Sequence, residues 1–404
     1  MSSPYRSPLP WIGACLAAAG LGLMAWTAPA SAQHDPALPV HIVVGPPPGA
    51  HPMARTDPAR TARTAELPSQ PREIWNRGVR GGIEQVPAVD DHGNVILATS
   101  TGELAQLGPD GTEQWRIGLG QQKSAATVSP VILSDGTRLV LNAMGEAWGV
   151  SPSGAKRFSE SHGAAGRDSR VALLPRDDGS AVAAVWGRLI VIGSDGKVRD
   201  HAQIGEAIVG ALIGTRDGIV ATSDSGAVWL WAPPLSPRRI GSFQGSVREG
   251  VARADDRTLI AVVDRRRLVA MDRRTGALTT REVLAGMEGP PAVGSGGTAF
   301  VATMGGVLVG MGAAAEVLRV ALSPQPAAGD DAGVVSYRSS PPVIVDRAGR
   351  VAFVRADGKV GVVAPDGAIS AAQGMACYDP MGIVPAGPKR FLVACRAGTI
   401  RMYE

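Results

Sequence analysis

The chain has 404 residues, with 40 Lys and Arg against 36 Asp and Glu, a net charge of +4, 45% hydrophobic residues and only 4% aromatics. So small a basic excess, with no cationic stripe interleaved with aromatics, excludes a nucleic-acid footprint. The 333 residues after position 71 are ample for one large core.

Residues 1–32 read as a secretory signal. Arg6 sits in a short n-region, residues 11–26 are apolar, and Ala30-Ser31-Ala32 is a small-residue cleavage site before Gln33. A stretch of 16 residues is short of the roughly 20 that a spanning helix needs. Cleavage near Ala32 and export to the periplasm or beyond the cell are therefore expected. Cys15 has almost no apolar run before it, so a lipid attachment box is rejected. Residues 33–71 hold nine prolines, including Gly45-Pro46-Pro47-Pro48-Gly49, and keep no period of 2.0 or 3.6. That composition predicts a disordered, solvated linker.

A propeller repeat follows. Arg72-Glu73-Ile74-Trp75-Asn76-Arg77 is strand-like and stands alone. Blade one then runs through Pro87-Ala88-Val89-Asp90, Val95-Ile96-Leu97-Ala98-Thr99, Leu104-Ala105-Gln106-Leu107 and a last strand carrying Trp115. Asp-Gly and Asn/Gly pairs between short apolar runs mark hairpins, because these residues tolerate the backbone angles of tight turns. The same arrangement recurs around turn residues Gly102, Gly145, Gly187, Gly226, Arg266, Gly306, Gly358 and Gly398, at intervals of 43, 42, 39, 40, 40, 52 and 40 residues. A period near 40 built only of strand-like pieces predicts an all-β fold, a β-propeller of eight four-stranded blades over 72–404. Seven blades are the alternative if blade three or four is misdivided. The runs are rich in Val, Ile, Leu and Ala without strict alternation, as sheets buried on both faces require.

Blade eight lacks its outer strand. In blade one Trp115 comes 13 residues after Gly102, but 13 past Gly398 lies beyond Glu404. The orphan strand around Trp75 supplies the missing piece. Its pairing with the C-terminal strands would close the ring and hide both open edges.

In blade five, Leu268-Val269-Ala270-Met271-Asp272-Arg273-Arg274-Thr275-Gly276 resembles the aliphatic-Ala-Leu-Asp-x-x-Thr-Gly repeat of pyrroloquinoline-quinone-like propellers. Leu107-Gly108-Pro109-Asp110-Gly111 with Trp115 resembles a shortened copy. That superfamily includes quinoprotein alcohol dehydrogenases and the propeller scaffold subunit of the outer-membrane β-barrel assembly machine, so the resemblance implies a fold and leaves activity open. The dehydrogenases carry adjacent cysteines near the cofactor and a Glu, Asn and Asp set for calcium and base. This chain has no adjacent cysteines, and no position takes those roles.

Cys377 and Cys395 are the two cysteines beyond the signal. In an exported chain they predict a disulfide between successive strands of blade eight, about three residues out of register. Arg265, Arg266 and Arg267 form the densest basic cluster, which reads as a solvated turn or as a surface for an acidic partner. The 52-residue interval hides an insertion over residues 324–340, with Asp330, Asp331, Tyr337 and Arg338 as candidate binding residues. His92, His162 and His201 are scattered and predict no metal triad. No catalytic motif is present. The chain is expected to be a monomeric, non-enzymatic protein or cell-envelope interaction scaffold without a cofactor. A quinoprotein oxidoreductase using pyrroloquinoline quinone and calcium is the alternative, and a glycan- or polymer-binding propeller is the second.

Overall fold

Each of the eight repeated turns joins the second and third strands of one four-stranded antiparallel sheet. The computed structural model describes residues 57–404 apart from 58, 84, 121–127, 143–144, 164–172, 186, 209, 211, 249, 284–285, 288, 304–305, 323–342, 356, 375 and 378. The predicted signal, the linker up to residue 56 and the insertion with Asp330, Asp331, Tyr337 and Arg338 lie outside the described residues. Among the described residues no helix is long and apolar enough to cross a membrane.

The eight sheets stand as blades around an axis. Their inner strands, in blade order, are Ala88–Val89, Val131–Ile132, Leu174–Pro175, Ile213–Thr215, Val251–Arg253, Ala292–Val293, Ile344–Val345 and Pro380–Pro385. The last of these neighbours the first, so the ring is closed. Every strand reverses the direction of the one before it. The first-to-second and third-to-fourth turns therefore share one face of the ring, here face A. The second-to-third turns and the links between blades share the opposite face B.

The repeated turns show why glycine recurs. Seven end on a glycine with positive φ, from +70° at Gly187 to +92° at Gly398, a region that costs other residues a Cβ clash. Blade five has no such glycine. There Asp264 and Arg265 take φ of 54° and 56°, and Arg266 N donates to Val263 O at 3.0 Å. Two left-handed central residues make this a primed hairpin turn.

Second strands such as Val95–Ala98 and Ala181–Val185 are buried along their whole length. The core lies as slabs between neighbouring blades. One slab packs Val89, Leu97 and Ala105 of blade one against Val384, Leu392 and Ile400 of blade eight.

The predicted closure is present. Glu73–Gly78 pairs antiparallel with Thr399–Tyr403 as the outer strand of blade eight, with Trp75 opposite Met402 and Arg77 opposite Ile400. Its indole seals the seam to blade one: Trp75 Nε1 donates to Pro109 O at 2.8 Å, and a Cβ on Gly111 would meet the ring at 2.9 Å. The next seam repeats the device. Trp115 Nε1 donates to Pro152 O at 2.9 Å, and its ring covers Gly154. Phe158 covers Gly196 in the same way. The third residue of each of these three outer strands thus caps the third-to-fourth turn of the following blade. Blade seven has no such turn to cap, because blade eight takes its outer strand from the other end of the chain. Its outer strand, Ile369–Ala371, is the shortest of the eight, with Ala371 in the capping place.

The described part of the linker departs from the sequence expectation. Residues 59–62, 64, 67, 68 and 71 are buried and belong to the ring. The physical reason is that their backbone groups find partners on the inner strands, so burial of a stretch without periodicity leaves few polar groups unpaired.

Candidate functional site

The axis of a propeller is where its inner strands present unpaired backbone groups, and here the chain's own residues 59–67 occupy that place. Arg253 N of blade five donates to Ala59 O at 2.9 Å, and Val293 N of blade six donates to Thr61 O at 2.7 Å. Val345 of blade seven is bonded twice, its N donating to Ala62 O at 3.0 Å and its O accepting from Thr64 N at 2.8 Å. Arg63 and Val345 form a parallel bridge. Leu67 N donates to the Asp346 carboxylate at 3.0 Å, and Lys389 N of blade eight donates to Glu66 O at 3.2 Å.

Two arginines complete the contact. Arg60 is 1% exposed. Its Nε donates to Leu212 O at 3.0 Å and its Nη2 to Leu173 O at 2.8 Å, reaching blades four and three. Arg63 donates from Nε to Val293 O at 3.1 Å and from Nη2 to Gly294 O at 2.7 Å. Charged donors on carbonyls are stronger than neutral ones. Six of the eight blades therefore hold the segment.

The segment bends to stay in the channel. Arg60 and Ala62 have φ of 57° and 54°, and Arg60 N donates to Asp57 O at 2.9 Å. The Asp57 carboxylate caps the bend, accepting from Thr61 N at 3.2 Å and from the Thr61 hydroxyl. Residues 63–67 meet Gly294, Asp346 and Lys389, which belong to face A turns. From there the chain crosses blade eight, where Arg72 N donates to Glu404 O at 2.9 Å, and enters the outer strand.

The basic cluster does not join this site. Arg265 and Arg266 are exposed on the face B turn of blade five. Arg267 is bound to Asp264 at 2.7 Å and to Gln244 O at 3.0 Å. The arginine's hydrogen bond holds the Asp264 carboxyl below its ordinary range. Arg265 stands at the turn tip and Arg266 closes the turn.

Cys377 and Cys395 are joined, with Cα atoms 6.1 Å apart. Cys395 pairs with Pro380, so Cys377 sits three residues ahead of its register partner, before the inner strand of blade eight. The bond ties that strand's entry to the end of the second strand.

The Asp-x-x-Thr-Gly motif serves a turn. Asp272 accepts from Arg274 N at 2.8 Å and Thr275 N at 3.2 Å, which lowers its carboxyl pKa. The histidines stay apart: His92 is in a face A turn, His162 follows the outer strand of blade two, and His201 is on the outer strand of blade three. Asp90, Asp91 and His92 lie close together, but Asp90 already accepts from His92 N, Asn94 N, Asn94 Nδ2 and Arg138 Nη2. Its lone pairs are committed to a structural network.

The adjacent-cysteine chemistry of the quinoprotein dehydrogenases has no counterpart here, since the two cysteines of the ring are bonded to each other 18 residues apart.

Sequence reading missed the axial segment. One signal was available: Ala59-Arg60-Thr61 and Ala62-Arg63-Thr64 are a tandem repeat, and Ala54-Arg55-Thr56 is a further copy.

No protein-family model matches the chain, and no curated protein matches it by sequence. Solved structures do match its fold. The computationally designed Ika8 protein is similar at 15% identity with a TM-score of 0.63, over 84% of this chain and 99% of that one. The WD40 β-propeller domain of Doa1 is similar at 14% identity with a TM-score of 0.50, over 83% and 97%. BamB from Moraxella catarrhalis aligns at 14% identity over 83% and 97%, with a TM-score of 0.47. At these identities the likeness concerns the fold alone.

Proposed function

We propose that this chain is an exported, non-enzymatic scaffold that holds other polypeptides in the cell envelope. One observation carries the reading: the ring already binds polypeptide. Its axis grips residues 59–67 through backbone bonds from several blades, and such bonds do not depend on the side chains of the bound segment. Around that axis the blades provide a rigid frame with many short turns. Arg265 and Arg266 on face B and Leu235 at the rim, 57% exposed, are contact points of both charged and apolar kinds.

Photo-crosslinking tests the reading. Full-length protein carrying a photoreactive residue at Arg266 or Leu235 is illuminated in envelope extract. A discrete protein adduct, lost on competition with unlabelled ring, is the expected outcome. Glycan-array binding without any protein adduct would favour a polymer-binding propeller. A melting shift with pyrroloquinoline quinone and calcium would favour the oxidoreductase.

A further inference from the structure

The axial segment has the properties of a ligand that happens to be covalently attached. It is not the element that closes the ring, because closure is made by Glu73–Gly78. Among residues 57–67 only Leu67 has a large apolar side chain. Hydrophobic burial, the main force holding a blade in place, is therefore slight here. Backbone hydrogen bonds and the guanidinium contacts of Arg60 and Arg63 are prominent, together with the Asp346 carboxylate on Leu67 N and ion pairs from Glu66 to Lys389 at 3.4 Å and Arg350 at 3.7 Å.

The channel wall presents a repeated recognition element. Arg60 and Arg63 stand three residues apart, and each places its guanidinium on a pair of backbone carbonyls, from blades three and four and from blade six. A guanidinium can serve two carbonyls at once because its donors form a rigid fork. The backbone bonds hold a chain bent as residues 59–62 are, while the carbonyl pairs select arginine.

Resting on the scaffold reading above, we propose that the axial channel is a peptide-recognition site. Its ligand is a polypeptide with two arginines three residues apart that takes the bend seen at Arg60 and Ala62. The chain's own residues 57–67 are the tethered occupant, and an Arg-x-x-Arg segment of a partner protein takes their place. The tether sets the balance. A covalently attached segment competes at an effective concentration in the millimolar range, so a partner must bind well or the cis segment must be weakened.

The test uses the full chain with Arg60→Ala and Arg63→Ala together, and a fluorescent synthetic peptide with the sequence of residues 57–67. The double variant is expected to bind this peptide saturably and at least about tenfold more tightly than the unaltered chain, because cis competition is relieved. A peptide with both arginines replaced by alanine is expected not to bind. Amide exchange at Arg253, Val293 and Val345 should quicken in the variant and slow again with peptide, while Val95–Ala98 stays protected. Absence of binding in a folded variant, equal binding of the alanine peptide, or unchanged exchange at the three amides would each overturn the proposal.

Should the double variant not fold, a protease site placed between Ser69 and Gln70, both exposed, gives the same answer. After cleavage the native segment is expected to exchange for labelled peptide, and permanent retention overturns the proposal. A protein adduct at Arg266 or Leu235 with no peptide exchange would sink the channel site and leave the scaffold reading standing.

Discussion

Replacing Trp75 by alanine should release the two chain ends from each other. Trp75 is 9% exposed. Its indole donates to Pro109 O and covers Gly111 of the next blade. Removing a buried Trp side chain costs about 3–5 kcal/mol, the cavity included. That loss falls on one seam, between blade eight and blade one, and on the strand that pairs with Thr399–Tyr403. Local opening of this strand should become easier by the same amount. At about 1.4 kcal/mol per tenfold, exchange at the Thr399–Tyr403 amides should accelerate roughly 100- to 4,000-fold. Native-state hydrogen exchange reads this directly and does not require the whole ring to unfold in one step. Trp115→Ala is the control, because it removes the same kind of seal at the seam between blades one and two. It should leave the Thr399–Tyr403 amides unchanged. If Trp75→Ala accelerates those amides less than about fivefold, or if both variants act alike there, closure by the N-terminal strand does not depend on this side chain.

Three further outcomes are expected. Reduction of Cys377–Cys395, which closes a loop of 18 residues, should cost about 3 kcal/mol, seen as earlier urea unfolding of blade eight and unaffected blade-four fluorescence from Trp229 and Trp231. Arg138→Ala should cost about 3–5 kcal/mol, because it leaves Asp90 buried without the cation now 2.8 Å away; chemical denaturation measures it. Burial, reinforced by the Glu73 charge, pushes the Tyr403 phenol up from 10.0 to about 12. The unfolded chain gives up this proton from about pH 10 while the folded chain keeps it. Stability should therefore fall between pH 10 and about 12, by roughly 3 kcal/mol from this group, and Tyr403→Phe should remove that part of the pH dependence.

Sequence alone determined the ring and its means of closure and favoured eight blades over seven, which the eight sheets of the structure decide. Each of these rests on local signals: a positive-φ glycine at a hairpin, a short apolar run, an Asp-Gly turn, and an orphan strand bearing the aromatic that blade eight lacked. The cysteine spacing likewise set Cys377 three residues from the register partner of Cys395. The tertiary structure decided the fate of residues 57–71. Prolines and missing periodicity describe a chain that cannot form its own hydrogen bonds, and in isolation such a chain is solvated. Here the missing partners are backbone groups at Leu173, Leu212, Arg253, Val293, Val345 and Lys389, which no stretch of sequence brings together. Only ring closure places them around one axis, so the channel and its occupant become visible after folding and not before.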